Sequence, residues 1–294
     1  MSRWQGLEEA AAVAETGSFS GAAKHLGLST SHISRAIAQL EARLGALLFT
    51  RTTRSVVLTD TGRILVEQID RIIQEREEAI AMVNGQIEPQ GEVRITCSTA
   101  MGERFVAPIV RRYAVDYPKV RISLDLTNRV VDLVAEGYDL AVRTGVVTDQ
   151  RIATVQIASR RLYLCASPTY AARAGVPTTV DEIESHECVL GTSSTWRFSV
   201  EGKELTLSPP SRWRCNNGAA VLDAALAGMG LCQLPDFYVQ QALTDGGLIE
   251  LLDFARMNDE PIWAAFPRRR QFLPKIRMLA ERLQSEMPLS LAAA

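Results

Sequence analysis

Side chains that could contact nucleic acid are concentrated near the start of the chain. Residues 24–54 hold five basic residues against one acidic residue, Glu41, so this segment carries a local charge of +4. A local positive patch is what phosphate contact requires, and hydroxyl, amide and guanidinium groups can also bond to base edges. The candidate residues are Ser29, Thr30, Ser31, Ser34, Arg35, Gln39, Arg51, Thr52 and Arg54.

Two short helices must position the first six of these residues. Ser18 or Ser20 can cap the first helix, Gly27 ends it, and residues 29–31 supply cap candidates for the second. Two helices joined by so short a turn predict a helix-turn-helix, and the alternative is an ordinary amphipathic helix with a solvated polar face. The second helix has one apolar stripe, predicted to face the core, at Ile33, Ile37, Leu40 and Leu44.

The last three candidates precede a strand-like run. Arg51, Thr52 and Arg54 come just before residues 55–58, which are rich in β-branched side chains. This arrangement fits a β-wing whose tip straddles a phosphate backbone.

A second set of candidates follows strands of an alternating strand and helix pattern that begins at Glu92. Such alternation is typical of a parallel α/β architecture, with helices predicted over residues 105–117 and 130–137. Ligands in open α/β sheets bind beyond the carboxyl ends of the strands. The candidate ligand-binding residues are Ser98, Thr99, Thr127, Asn128, Arg143, Trp196, Asn216 and Asn217.

An arginine with hydroxyl groups in a cleft suits a carboxylate-bearing metabolite. Ser98 and Thr99 precede a helix, so plain helix capping is their alternative role. Arg143 could instead form a structural ion pair with Asp139 or another acid. Trp196 ends a polar loop that could cover a ligand.

No catalytic arrangement is visible in the sequence. It contains no Ser/His/Asp set, no paired acid and base at a strand end and no phosphate loop. Gly228-Met229-Gly230 lacks the third glycine of a dinucleotide fingerprint, and three dispersed histidines argue against structural zinc. We therefore expect no enzyme activity, no cofactor and no metal.

The sequence also bounds the compartment. No apolar stretch is long enough for a membrane-spanning helix and the start shows no secretory signal, so we expect a cytoplasmic protein. Five cysteines with wide spacings and no Cys-x-x-Cys predict reduced, mostly buried thiols. The pair Cys188 and Cys215 leaves a redox sensor open as an alternative.

One long helix is predicted over residues 60–88, because neither Pro nor Gly occurs between Ile64 and Asn84. About 25 residues at about 1.5 Å each give a rod near 40 Å long, which cannot bury an apolar stripe alone. Pairing with a second copy is one solution, and packing against its own domain is the other. The stripe comprises Leu65, Ile69, Ile72, Ile73, Ile80, Val83 and Ile87.

Several stretches together resemble the LysR-type transcriptional regulators. The ordered N-terminal combination spans the whole winged helix-turn-helix, and a later set extends the resemblance over nearly all 294 residues. The N-terminal residues are Ala14-Glu15-Thr16-Gly17-Ser18-Phe19-Ser20-Gly21-Ala22-Ala23, Leu26, Leu28-Ser29, Ser34-Arg35, Leu40-Glu41, Leu44-Gly45, Leu48-Phe49, Arg51, Arg54, Leu58-Thr59 and Gly62. The later residues are Tyr138-Asp139-Leu140-Ala141-Val142-Arg143-Thr144-Gly145, Ala166-Ser167-Pro168-Thr169-Tyr170, His186-Glu187-Cys188 and Gly228-Met229-Gly230.

The resemblance implies an α/β protein with an N-terminal all-α winged helix-turn-helix over residues 1–60. A dimerising linker helix over residues 61–88 and an effector-binding domain over residues 92–294 would follow. That domain would have two Rossmann-like lobes, like a periplasmic binding protein, with the chain crossing between them twice. Lobe one would comprise residues 92–161 and 266–294, and lobe two residues 162–265.

The predicted function is therefore a sequence-specific, DNA-binding regulator of transcription whose activity is set by a small-molecule effector between the lobes. A homodimer predicts a roughly palindromic site on double-stranded DNA. The resemblance adds a homotetramer, and RNA polymerase is a candidate partner. The alternatives are a redox-sensing regulator and an enzyme of the binding-protein fold fused to a DNA anchor.

Overall fold

The computed structural model describes residue 4 and residues 6–51, 56–83, 88–145 and 147–292. The chain forms two compact units, residues 1–87 and residues 88–294. None of the helices in those described ranges is both long and apolar enough to cross a membrane.

The first unit is a winged helix-turn-helix followed by a long helix, as predicted. Buried residues from the three short helices, the hairpin and the start of the long helix form one core. The two hairpin strands pair antiparallel. The elements are α1 (Leu7–Thr16), α2 (Phe19–Leu26), α3 (Thr30–Leu44), β1 (Phe49–Arg51), β2 (Val56–Leu58) and α4 (Asp60–Val83).

Thr59 and Gly62 determine where α4 starts. Thr59 directly precedes the helix, and Gly62 lies in its first turn. The Thr59 hydroxyl accepts a hydrogen bond from the Gly62 amide at 2.9 Å and donates one to the Leu47 carbonyl at 2.7 Å. A Cβ on Gly62 would lie 2.0 Å from the Leu48 carbonyl oxygen. Only glycine therefore lets α4 approach the start of the hairpin this closely.

The second unit alternates strands and helices. Its first half contains β3 (Gly91–Cys97), α5 (Thr99–Met101), a π-helical turn (Gly102–Val106), α6 (Ala107–Asp116), β4 (Val120–Leu126), β5 (Leu140–Thr144), β6 (Ile152–Arg160), β7 (Leu162–Ala166), α7 (Pro168–Ala174) and a 3₁₀ turn (Asp181–Ser185). Its second half contains β8 (Val189–Leu190), β9 (Trp196–Val200), β10 (Lys203–Leu207), β11 (Trp213–Arg214), α8 (Gly218–Leu226), β12 (Cys232–Pro235), α9 (Asp236–Thr244), β13 (Ile249–Leu251), a 3₁₀ turn (Asp253–Ala255), β14 (Glu260–Pro267), a 3₁₀ turn (Arg268–Arg270) and α10 (Pro274–Ala292).

The strands of this unit form two main sheets, which define its two lobes. Lobe one holds a five-stranded sheet of order β4-β3-β5-β14-β6, in which β3 runs parallel to β4 and β5. Lobe two holds a three-stranded sheet of order β12-β7-β13. Parallel strands with intervening helices place the carboxyl ends of β3, β4 and β5 at one edge of the lobe-one sheet.

The return crossing from lobe two to lobe one lies earlier than predicted. Strand β14 pairs antiparallel with β5 and with β6, along its whole length with the latter. The predicted boundary between residues 265 and 266 falls inside this strand, so the crossing comes before Glu260. The apolar run Ala264-Ala265-Phe266 marks the interior of a central strand and not a connection.

The predicted helix over residues 130–137 does not form. The segment is an irregular turn in which the Asp132 carboxylate accepts hydrogen bonds from the amides of Val134 and Ala135, each at 3.0 Å. Local side-chain bonds of this kind compete with helix formation. The helix predicted over residues 105–117 does form, as the end of the π-helical turn and α6.

Candidate functional site

Helix α3 begins and ends at residues suited to those positions. The Ser29 hydroxyl accepts a hydrogen bond from the backbone amide of His32 at 3.2 Å, which makes Ser29 the N-cap. Gly45 follows the helix with a φ of 66°, a conformation that glycine adopts at little cost. The helix lies between these two signals, and both are readable from the sequence.

Two faces of α3 separate as predicted, with one exception. Ile33, Ile37 and Leu40 are buried, whereas Leu44 is exposed. Leu44 is the last helical residue and the chain turns away at Gly45, so it does not continue the buried stripe. The opposite face presents four exposed candidates and one half-buried one: Thr30, Ser31, Arg35, Gln39 and, half-buried, Ser34.

The one acidic residue of the basic segment is turned toward the backbone. Oε1 of Glu41 accepts hydrogen bonds from the amide of Leu48 at 2.7 Å and from the amide of Phe49 at 3.2 Å. A carboxylate bound by two amides fixes the position of the chain that carries them. Glu41 therefore holds the start of the hairpin to α3, a role that the charge count does not reveal.

The wing candidates are only partly described. In the hairpin, Phe49 pairs with Leu58 and Arg51 pairs with Val56. Arg51 therefore ends the first strand at the tip side of the hairpin. Thr52 and Arg54 lie outside the described residues.

The apolar stripe of α4 is divided between two environments. Leu65, Ile69 and Ile73 pack into the core of the first unit. Ile72 and Ile80, from the same predicted stripe, are exposed. Packing against its own domain thus accounts for one row of apolar residues and leaves a second row uncovered. Two further members of the stripe fall outside the described side chains: Val83 and Ile87.

A cavity of about 660 Å³ opens in the second unit, where predicted strand-end residues meet. Ser98, Asn128 and Arg143 line it, from the ends of β3, β4 and β5. A smaller cavity of about 170 Å³ shares Ser98 and Asn128 with it and reaches Asn216 in lobe two. The structure thus brings four of the eight predicted ligand-binding residues to two adjoining cavities.

Asn128 connects the two lobes at this point. Its Oδ1 accepts a hydrogen bond from the amide of Thr99 at 3.0 Å, and its Nδ2 donates to the carbonyl of Asn216. The Thr192 hydroxyl donates to the same carbonyl at 3.3 Å. The first amide of the helix that starts at Thr99 is therefore already bonded, and Asn128 has a defined orientation.

Arg143 is a half-buried cation whose hydrogen bonds go to neutral groups. Its Nη2 donates to the Thr96 hydroxyl at 2.9 Å, and its Nη1 donates to the Thr127 carbonyl at 3.2 Å. No carboxylate among the described residues forms an ion pair with it. Desolvation lowers the pKa of Arg143, although its guanidinium stays charged at neutral pH.

The alternative partner expected for Arg143 is engaged elsewhere. Asp139 forms an ion pair with Arg270, and both side chains are nearly fully buried, at 6% exposure each. The other carboxylate oxygen of Asp139 accepts the amide of Arg94 at 2.7 Å. This pair joins the turn before α10 to the start of β5, so Asp139 does not form an ion pair with Arg143. The charge of Asp125 acts on Arg143 without direct ion pairing.

The other four predicted residues have structural environments and do not line these two cavities. Trp196 is buried in a lobe-two core cluster, so it does not cover a ligand. Asn217 caps α8 by accepting the amides of Ala219 and Ala220. Thr99 and Thr127 contribute a backbone amide and a backbone carbonyl to the bonds described above.

Sequence reasoning missed an ion pair at the edge of the cavity. Arg160 lies 2.7 Å from Glu260, at the end of β6 and the start of β14, and both residues line the larger cavity. Arg160 ends a strand, so the strand-end criterion could have selected it as a candidate. Its partner follows 100 positions later, and only the antiparallel pairing of these strands joins them.

Among the described residues, no group of three or more His, Cys, Asp or Glu side chains could hold a metal ion. All five cysteines lie in the described residues, none of them forms a disulfide, and four of the five are buried. Cys188 and Cys215 flank the parallel pair β8 and β11 at opposite ends, three positions out of register. At about 3.3 Å per residue this offset is near 10 Å, beyond disulfide reach. Cys165 instead lies directly opposite Cys232.

Comparison with known proteins matches both units to one family. The family model described as LysR substrate binding domain matches residues 86–288. The model described as bacterial regulatory helix-turn-helix protein, lysR family, matches residues 4–63. Together the two models span almost the whole chain.

Individual relatives agree with the family models. The transcriptional regulator PtxR of Pseudomonas aeruginosa is 32% identical, over 94% of this chain and 90% of its own. PgrR of Escherichia coli is 30% identical, over 92% of this chain and 94% of its own.

Solved structures show the same fold. CrgA of Neisseria meningitidis, a LysR-type transcriptional regulator, is 28% identical with a TM-score of 0.56, covering 96% of this chain and 99% of that chain. The full-length Vibrio cholerae activator AphB, 23% identical, has a TM-score of 0.59 over 97% of this chain and 99% of that chain. With both units matched, this chain belongs to the LysR-type transcriptional regulators, DNA-binding proteins with a C-terminal substrate-binding domain.

Proposed function

We propose that this regulator responds to a small molecule bearing a carboxylate, bound in the larger cavity beside Arg143. The observation that carries the proposal is the guanidinium of Arg143, which lines the cavity with no acidic partner among the described residues. A partly desolvated cation is stabilised by an anion that completes its hydrogen bonding, and a carboxylate matches guanidinium geometry. Ser98 and Asn128 supply further polar groups at the same cavity.

On the DNA side, we propose that the exposed face of α3 reads base edges in the major groove. Arg35 and Gln39 are the exposed side chains with the longest reach on that face, and Ser29, Thr30, Ser31 and Ser34 lie toward its N-terminal end. The segment with Arg51, Thr52 and Arg54 would contact the phosphate backbone. The exposed residues Ile72 and Ile80 on α4 support pairing of two copies and hence a roughly palindromic operator.

We also propose that the protein assembles into a tetramer and contacts RNA polymerase. Membership of the LysR family is the only support for these two points. The relatives are named as regulators, so we propose binding without turnover. Effector binding would shift the relative stability of lobe arrangements and thereby the geometry of the DNA-reading heads.

The redox alternative has weaker support from the cysteines. Burial raises the pKa of Cys188 to about 12, so its reactive thiolate is scarce at neutral pH. Cys215 is half-buried, but its register offset separates it from Cys188. Cys165 and Cys232 face one another, and both are fully buried.

A ligand screen on the full chain tests the proposal. Thermal unfolding is measured with benzoate, 4-phenylbutyrate, octanoate and succinate, and in parallel with the uncharged amide of each acid. We expect at least one acid to raise the midpoint in a concentration-dependent way while its amide does not. Stabilisation by the amides to the same extent as by the acids, or by the amides alone, would overturn the carboxylate assignment.

A further inference from the structure

The larger cavity has one apolar wall in addition to its charged groups. The wall comes from the turn after β4, the segment before β6 and residues of β5, β6 and β14, and it is continuous with a small core cluster of lobe one. The residues that both line the cavity and belong to or pack against that cluster are Val131, Leu133, Ala141, Val147, Ile152 and Ala265.

Val130 extends this wall into the open space. It lines the cavity, yet its side chain is 96% exposed, the largest exposure among the large apolar residues of the described chain. Exposed valines are common on protein surfaces. Here, however, the exposed valine adjoins an apolar surface inside a cavity, where a ligand could cover both.

The charges around the cavity favour a ligand with a single negative charge. Three arginines line it, and two of them already have acidic partners. Arg129 pairs with Glu136, and Arg160 pairs with Glu260. Only Arg143 lacks such a partner among the described residues, so a second carboxylate would find no uncompensated cation.

Two carboxylates at the rim reinforce this preference. Asp132 and Asp149 both line the cavity and share one arginine, Arg151, at 3.0 Å and 2.7 Å. Two carboxylates paired with one guanidinium carry a net charge of about −1, so this part of the cavity rim is negative. A dicarboxylate that extended toward it would meet repulsion.

The size of the cavity also exceeds what a short acid needs. At about 30 Å³ per water, its volume of about 660 Å³ corresponds to roughly twenty waters. Cavities of about 300–1,000 Å³ accept ligands of drug size, whose apolar parts cover most of the lining. A short acid would leave water against the apolar wall.

We propose that the effector is an amphipathic monocarboxylate, with its carboxylate at Arg143 and an alkyl or aryl body on the lobe-one wall formed by Val130, Leu133, Val147 and Ile152. This inference rests on the proposed carboxylate effector and specifies the rest of the molecule. It places the discriminating contacts in lobe one, beside the interlobe bond of Asn128.

The test is a chain-length series measured by isothermal titration calorimetry on the full chain. Butyrate, hexanoate, octanoate and 4-phenylbutyrate are titrated, with octanamide as the uncharged match of octanoate and succinate as the dicarboxylate. Burial of each added methylene on the wall should tighten binding about fourfold. Octanamide and succinate should bind far more weakly than octanoate.

A matched pair of variants locates the body of the ligand. Val130→Ser should weaken octanoate binding about fivefold, because the alkyl body of octanoate would lose apolar contact with the wall. Butyrate, which is too short to reach the wall, should bind unchanged. The substitution should not affect stability, because a highly exposed side chain contributes little packing. Val115→Ser is the control, since Val115 is an exposed valine of α6 that does not line either cavity. It should change neither affinity.

The outcomes separate this inference from the proposed function. Octanoate binding no tighter than butyrate, or equal effects of the two valine substitutions, would overturn the apolar subsite while the carboxylate effector stands. Octanamide binding as tightly as octanoate would overturn the anchor at Arg143 and the inference that depends on it. Binding by none of the monocarboxylates would overturn the inference as well.

Discussion

The proposed DNA-reading face of α3 and the cavity of the second unit are assembled in opposite ways. The α3 candidates fall within residues 29–39, and helical periodicity alone places them on one face. The cavity collects residues from Ser98 to Ala265, carried by strands that are distant in the sequence. The first surface is exposed and convex, whereas the second is concave and partly desolvated.

This difference determines how charge acts in each region. On α3, Arg35 is exposed to water, and the single nearby acid is removed from the patch by bonds to the backbone amides of Leu48 and Phe49. In the cavity, Arg143 is partly desolvated, and Asp139, the partner that sequence spacing suggested for it, is paired with Arg270 instead. Both regions therefore keep an arginine without an ion-pair partner among the described residues. Water and salt screen the charge of Arg35, whereas the charge of Arg143 is partly desolvated and acts more strongly on a bound anion.

The largest expected effect concerns the cysteines, all five of which lie in the second unit and four of which are buried. Burial raises the pKa of Cys188 and of Cys232 from 9.0 to about 12. At pH 8 their thiolate fraction, and hence alkylation by iodoacetamide, should be about a thousandfold below that of an unperturbed thiol. Labelling read by mass spectrometry should therefore begin at Cys215, which is half-buried.

The pH dependence has a definite sign. Below pH 9 both thiols are protonated in the folded and in the unfolded protein, so their contribution to stability is fully present. As the pH rises from about 9 toward 12, the thiols ionise more readily in the unfolded protein, and the free energy of unfolding falls. Cys215→Ser should remove the early labelling by iodoacetamide, and protein unfolded in urea should be labelled at every cysteine. Rapid labelling of Cys188 or Cys232 in the folded protein would contradict a sealed interior.

The next effect tests the desolvated charge. Arg143→Gln should weaken binding of 4-phenylbutyrate on the order of a hundredfold, because the carboxylate would lose its only uncompensated cation. Arg129→Gln is the matched control from the same cavity, since Arg129 is exposed and already paired with Glu136. It should change affinity by less than about threefold. Equal losses in the two variants, measured by calorimetry, would show that Arg143 has no special role.

The screened charge should matter less per residue. Arg35→Ala should weaken binding to a DNA fragment selected by the full chain from random sequence by roughly tenfold or more. The circular dichroism spectrum and unfolding midpoint should not change, because an exposed side chain contributes little packing. Arg111→Ala, an exposed arginine of α6 in the other unit, is the control for loss of positive charge. A uniform effect of both variants would indicate non-specific electrostatics.

The smallest effect concerns local helix capping. Ser29→Ala should lower the unfolding free energy of the first unit by about 1 kcal/mol, since the His32 amide loses its hydroxyl acceptor. Ser20→Ala is the control, because Ser18 and not Ser20 caps α2. Denaturant titration followed by helical circular dichroism measures both. If Ser29→Ala left stability unchanged and still weakened DNA binding, the hydroxyl would act on DNA and not as a cap.

The sequence predicted the helix-turn-helix well because its signals are local. Ser29, Gly45 and the apolar spacing of α3 lie within one short segment, and each acts through neighbours along the chain. The exception, Leu44, follows from the turn at Gly45, because the buried stripe ends at Leu40, one stripe position earlier than the period suggests.

Prediction of the cavity was less complete because its contacts are not local. Strand-end reasoning found Ser98, Asn128 and Arg143, since carboxyl ends of parallel strands share an edge. It also included Trp196, whose side chain points into a core cluster instead. Part of the apolar wall was missed because residues 130–137 were predicted as a helix and form a turn. The rest comes from residues as distant as Ala141 and Ala265, which only the fold brings together.

The order, periodicity and caps of the sequence were enough to predict the family and the helix that presents Arg35, because these signals act between neighbours along the chain. The division into two compact units comes from the structure. Which charges remain without an ion-pair partner depends on contacts between residues that are distant in the sequence. Asp139 lies four residues before Arg143 and pairs with Arg270, more than a hundred residues later. Two ionic groups interact according to their separation in space and their burial, and neither quantity can be read from spacing along the chain.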